Sequence, residues 1–474
     1  MAVDRRTFLA TATAAAAIPT RLDAQAAAVV RPEDFGARGD GVTNDTNAFA
    51  ALAARIQAMG GGSIALSAGR TYIVGRQAPG RGHAFSPQPL IDLEGLVRPL
   101  SIFGNGARLK AAAGLRFGAF DPATGQPVHR PMPNYSEGDR ASPYSGMISV
   151  RGSRAPISIQ DIELDGNAAG LRLGGHWGDI GWQVPGSGLL LRDNLAQEVV
   201  VNVFSHHHPL DGVMIDGAAL RSARSRFEKL VCRSNGRQGL SLVGGTGHDF
   251  VDCEFSQTGR AGIASAPGAG FNIEAETKPV RDVTFTRCKF VDNSGVGLLA
   301  ESGDSAGVRC VDCMFIGTTS WAAWPRKPGF LFEGCTFAGS VVNPFPSSDP
   351  GKAAQFVDCR FTDDVALSPT GRLYVAGAAG NGIVNMGTSD NVRFTRCRFE
   401  LGLAGVLPWG WRAIYEDCTM RQVSRTAAMT KGKYVGRSVI DGPVDLYGSM
   451  IVGTVILNGR TVPRGPVGSD IRAW

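Results

Sequence analysis

The chain has no run of the roughly 18 apolar residues that a membrane-spanning helix needs, although 43% of its 474 residues are hydrophobic. No membrane span is therefore expected in the mature protein. Its 63 glycines follow no three-residue period, which excludes collagen. Charged residues make up only 19%, and with this hydrophobic content the chain is not a disordered polyelectrolyte. The formal net charge is only +6. Lys and Arg are not gathered into one patch, so no nucleic-acid partner is expected. The nine cysteines are odd in number, which argues against a complete disulfide framework.

What the chain does have is one recurring cysteine context. The strings are FVDCEF (250–255), FTRCKF (285–290), VDCMF (311–315), FEGCTF (332–337), FVDCRF (356–361), FTRCRF (394–399) and YEDCTM (415–420). Cys232 begins the series, and Cys310 stands outside it. Most intervals are 20–25 residues, a period that marks a solenoid. The units are short alternating strands separated by Gly, Asn and Asp, so each is a β coil. One coil cannot bury its inner face, so neighbours must stack about 4.8 Å apart. Cysteine then serves as a small hydrophobe in a buried column.

Residues 1–26 have the parts of an export signal in order. Arg5 and Arg6 precede a soft apolar stretch, and Ala24-Gln25-Ala26 resembles a cleavage site. The twin arginine implies the Tat export machinery as a partner and a periplasmic or secreted location. The expected domain plan is a signal at 1–26 and one β-helix domain at 27–474, with a cap and first coil at 27–75. Within that cap, Asp45 or Thr46 can open a helix. Phe49, Leu52, Ile56 and Met59 share one face of it, and Gly60-Gly61-Gly62 ends it. Such a helix would cover the unpaired strand edges at the end of the tube.

The string DFGARGDG (34–41), the following NDT, the helix, GGG and AGRTYIVG (68–75) resemble the pectate-lyase-like superfamily. Asn44 stands where Asp is more usual. The segments NGRQGLSLVGG (235–245) and AGFNIEAE (269–276) resemble a pattern common in bacterial β-helix proteins. The resemblance implies an all-β, right-handed parallel β-helix with an N-terminal capping helix, and a polysaccharide substrate. The superfamily holds polygalacturonases, rhamnogalacturonases, lyases, uronate epimerases and phage tailspike depolymerases, so it does not fix the reaction.

Candidate site residues follow from aligning the strands that begin with glycine: GLLLR (188–192), GVMID (212–216), GLSLV (239–243), GFNIE (270–274) and GVGLL (295–299), with IELD (162–165) ahead of them. Alternation sends Val213, Ile215, Leu240, Leu242, Phe271 and Ile273 inward. One outer column would read Asp165, Arg192, Asp216, Val243, Glu274, Leu299. Asp216 and Glu274 would lie two rungs apart, about 9.6 Å by strand spacing, within reach of a carboxylate pair for inverting hydrolysis. The same carboxylates can hold Ca²⁺, a candidate cofactor that would acidify a uronate C5 proton. Arg192 would anchor a uronate or act as base. His206, His207 and His208 enter the Gly212 strand, and His208 is a candidate acid or base. No second cluster with zinc-like spacing supports a metal there. The long segment after Gly166 carries His176, Trp177 and Trp182, which suit sugar stacking. Asp165, Arg237 and Glu276 complete the substrate-binding candidates.

The function expected from these features is β-elimination of a uronic-acid-containing polysaccharide. Hydrolysis by a carboxylate pair, uronate epimerisation and non-catalytic glycan binding are the alternatives. A monomer or a homotrimer fits such a chain.

Overall fold

The computed structural model describes residues 29–129, 138–175, 183–219, 223–276, 278–376, 382–402, 404–408, 410 and 412–468. The export signal and the candidates His176, Trp177 and Trp182 lie outside them. Thirty-eight of the described strands join one sheet. Its pairings are parallel until the C-terminal end, where Thr454–Leu457 meets Arg460–Val462 and Met450–Ile451 meets Gly465–Pro466 antiparallel. The chain is thus a parallel β-helix, as the cysteine period implied. Its core is one continuous apolar cluster running from Val30 to Val455.

Each coil places a strand on at least two faces of the tube. Ile91–Glu94, Gly146–Arg151, Ser187–Arg192, Asp211–Asp216, Gln238–Val251 and Ala269–Ile273 pair in succession to build the front face. Leu100–Ala111, Ile157–Asp165 and Glu198–His206 begin the second face. Val213, Ile215, Leu240, Leu242, Phe271 and Ile273 are all fully buried, as alternation requires. The glycines that open the front strands are needed for close stacking. A Cβ on Gly239 would lie 2.3 Å from the carbonyl oxygen of Gly270 in the next coil, and one on Gly212 would lie 2.6 Å from that of Gly239.

The repeated strings resolve into three parallel columns. Phe227, Phe250, Phe285, Cys310, Phe332, Phe356, Phe394 and Tyr415 form one. Cys310 therefore occupies a phenylalanine position. The residue before each column cysteine turns the corner in the left-handed region, as at Asp252, Asp312, Asp358 and Asp417, which Asp and Asn tolerate best among non-glycine residues. Next comes the cysteine column, and then Phe255, Phe290, Phe315, Phe337, Phe361 and Phe399. Their ring centroids are 4.7–5.4 Å apart, close to the rung spacing. Cys232 does not begin the cysteine column. It pairs with Phe255 and so heads the second phenylalanine column.

All nine cysteines are free and buried. The column thiols donate to backbone carbonyls, as Cys288 does to Phe250 at 3.4 Å. Fewer than one thiol per chain is expected to react quickly with a thiol reagent in the native state, and all nine after denaturation. Rapid labelling of most thiols without denaturant would contradict the buried columns.

The helix Thr46–Met59 forms with Asp45 at its N-cap and Gly60, left-handed, at its C-cap. Phe49, Leu52 and Ile56 are fully buried. Asp45 does not cap through its side chain. Its carboxylate instead accepts from the backbone N–H groups of Arg38 and Gly39, which folds the Asp34–Gly41 motif against the helix start.

Candidate active site

The front face carries a cleft of about 440 Å³. Register fixes its floor. Ser149, Leu190, Met214, Ser241 and Asn272 stand on successive coils, and the first four of them line the cleft. Arg151 and Arg192, also in register, flank the floor on one side. Asp211 and Arg237 flank it at the strand entries, and Glu274 and Glu276 line it from the coil after Ser241.

Glu274 is buried, and its carboxylate accepts four hydrogen bonds. Arg237 Nη2 donates at 3.0 Å, Gln238 Nε2 at 2.7 Å and Asn272 Nδ2 at 2.8 Å, all to Oε1. Ser241 Oγ donates to Oε2 at 2.9 Å. This carboxylate is committed to protein donors, a guanidinium among them, and is not presented to a cation such as Ca²⁺.

Asp211 is the other buried carboxyl of the cleft, 1% exposed. Its Oδ1 is buried without a hydrogen-bond partner. Arg237 Nη1 stands 4.0 Å from Oδ2, too far to offset the cost of burying the charge. Burial pushes this carboxyl up to about 7. Arg237 and the Gln238 N–H pull it down, and the negative charge of Glu274 pushes it further up. Asp211 therefore changes protonation near neutral pH, as an acid or base must. Glu276 is also raised, first by burial and then by Glu274. Among the described residues, the two carboxyls with raised values thus line one cleft, with Arg237 acting on both.

The candidate column from the sequence is rearranged. Asp165 does not precede Arg192. The strand Ile157–Asp165 belongs to the second face, where Asp165 pairs with His206, and the true neighbour of Arg192 is Arg151. Arg192 and Asp216 do pair, with Nε 3.3 Å from Oδ2. A register shift after Ile215 then sets Asp216 against Gly244. Asp216 also takes Lys278 Nζ at 2.8 Å and does not line the cleft. It holds a wall residue in place and does not partner Glu274. Leu299 pairs with Asn272, which places it in the floor column.

His208 is fully buried, with Nδ1 2.9 Å from the Tyr144 hydroxyl and Nε2 3.1 Å from the Leu164 carbonyl oxygen. Burial holds its imidazole well below the ordinary value. Both of its ring nitrogens are taken up inside the protein, and it does not line the cleft. Sequence reasoning missed Asp211 and Arg151. Asp211 opens the strand ahead of Val213 and Ile215, and a carboxyl at that buried strand entry was the available signal.

No protein-family model matches the chain, and no curated protein sequence does. Among solved structures, the chain is similar to the A-module of the Azotobacter vinelandii mannuronan C-5 epimerase AlgE4. The TM-score is 0.45 at 16% identity, over 90% of this chain and 99% of that one. The AlgE6 A-module of the same organism gives 0.40 at 14%, over 90% and 98%. The tailspike protein gp49 of Acinetobacter baumannii bacteriophage Fri1, a capsular polysaccharide depolymerase, gives 0.39 at 14%, over 94% and 65%.

Proposed function

We propose that the protein is a polysaccharide-active enzyme whose front cleft carries out proton transfer on a uronic-acid-containing glycan, with β-elimination as the reaction. The observation that carries this reading is the buried carboxyl of Asp211, which burial pushes up to about 7, in a cleft that Arg151 and Arg192 also line. Ionised Asp211 takes the proton from C5 of the sugar. Arg151 and Arg192 pair with the uronate carboxylate and stabilise the negative charge that develops beside it. The bond from C4 to the glycosidic oxygen then breaks, leaving a C4–C5 double bond. The departing oxygen takes its proton from solvent at the mouth of the cleft.

A second reading, hydrolysis, is favoured by the same two raised carboxyls. Asp211 would then be the acid and Glu276 the base that activates water. The two readings predict opposite pH dependence. As a base, Asp211 gives a kcat/KM that rises through about pH 7. As an acid, it gives one that falls there. The test is a panel of anionic and neutral polysaccharides at several pH values, read for ultraviolet absorbance and for reducing ends. Absorbance rising with reducing ends, on an ascending limb, is the expected result. Reducing ends alone on a descending limb would replace elimination by hydrolysis. Proton exchange at C5 with no chain cleavage would replace it by epimerisation.

A further inference from the structure

On the second face, away from the cleft lining, three side chains converge in a way the proposed reaction does not use. Asp165, His206 and His207 each present one ligand atom within 4.8 Å of the other two. His206 Nδ1 lies 2.6 Å from His207 Nδ1 and 3.9 Å from Asp165 Oδ1. Two ring nitrogens this close must share one hydrogen. We propose that these residues bind a divalent transition metal such as Zn²⁺, which takes the place of that hydrogen.

The surroundings of His206 point the same way. Its Nε2 lies 2.9 Å from Glu163 Oε1, and Glu163 is itself held by Arg108 Nε at 2.7 Å. A carboxylate on the far ring nitrogen takes the hydrogen there and leaves Nδ1 as the free lone pair, the usual support of a metal-bound histidine. Phe204 stacks on the ring with centroids 4.1 Å apart and fixes its plane. His207 turns the corner in the left-handed region at φ 53°. The equivalent corners of the next coils use Ser234, Gln257 and Asp292, so a histidine is not demanded by the turn. Asp165 and His206 are both buried, and His207 is half-buried. Two imidazoles and one carboxylate suit Zn²⁺, with metal–nitrogen distances of about 2.0–2.1 Å reached when the rings part slightly. A ligand set with a single carboxylate is poor for Ca²⁺, which takes about six to eight oxygens. The metal would pin the corner between Glu198–His206 and Asp211–Asp216.

The test uses the tag-free full chain, stripped with chelator and dialysed against Zn²⁺. One tightly bound Zn²⁺ per chain is expected, with a higher Tm in Zn²⁺ than in chelator. His207→Asn keeps a residue that tolerates the corner, and it should weaken Zn²⁺ binding at least about tenfold. Glu163→Gln should weaken it about 10–100-fold, the usual effect of losing such a support. Co²⁺ in place of Zn²⁺ should show no thiolate charge-transfer absorption. Failure of the wild-type chain to bind Zn²⁺ stoichiometrically overturns the proposal. So does wild-type affinity in a folded His207→Asn chain, preference for Ca²⁺, or a thiolate signature. None of these readouts requires a polysaccharide substrate, so the site and the proposed reaction fail separately.

Discussion

Replacing Asp211 by Asn is expected to lower kcat/KM on the cleaved polysaccharide by about 10²–10⁴-fold, the range for losing a positioned acid or base, while the fold remains. The amide is nearly isosteric and cannot exchange a proton near neutral pH. The structural cost is small because Asp211 is a group the fold prefers neutral. Its value in the folded chain, about 7, exceeds the ordinary 3.8. The folded state therefore binds the proton more tightly than the unfolded chain. The stabilisation from that proton is fully present below about pH 4 and is lost as pH rises to about 7. An amide at this position carries no such penalty, so the variant should match or exceed the wild type in stability above pH 7. Its residual activity should also lack the limb near pH 7. Loss of activity with the limb retained would assign the limb to another group. Full activity in a folded Asp211→Asn chain would sink the assignment of the cleft.

The architecture was legible because it depends on which residues are buried, and that pattern has a period. The spacing of Cys253 to Cys418 and the flanking phenylalanines reports the stacking directly. The strict alternation in the strands at Val213, Leu240 and Phe271 sends their apolar residues inward. Register across coils was less legible, because loop lengths vary and one residue of slip changes the outer neighbour. IELD has the same alternation as the front strands, yet it closes the long strand Ile157–Asp165 on another face. The shift after Ile215 broke the column that would have joined Asp216 to Glu274. The convergence of Asp165 on His206 and His207 was invisible for the same reason: their chain separation says nothing until the faces are assigned. The glycine strings did deliver Glu274, and the Asn235–Gly245 segment delivered Arg237. Both are buried polar residues of the cleft.

Loss of Arg237 should destabilise the fold. Its side chain is 9% exposed, donates to Glu274 at 3.0 Å and stands 4.0 Å from Asp211. Arg237→Met fills similar space but leaves the buried Glu274 with only the neutral donors Gln238, Ser241 and Asn272. Breaking a buried pair on one side typically costs about 3–5 kcal/mol, since an uncompensated charge is left inside. Urea unfolding followed by circular dichroism should show a loss of that order. Adding Glu274→Gln removes the orphaned charge, so the double variant should recover most of it. Simple additivity of the two losses would mean that the pair is not coupled. A second readout separates charge from packing. Arg237 lowers the Asp211 carboxyl, and removing an opposite charge at this range raises a carboxyl further. The limb near pH 7 should therefore move to higher pH in Arg237→Met and stay close to its place in Arg237→Lys, which keeps the charge but loses the fork. A limb unmoved in the Met variant would show that Arg237 does not act on the titrating group, and the cleft would need a different acid or base.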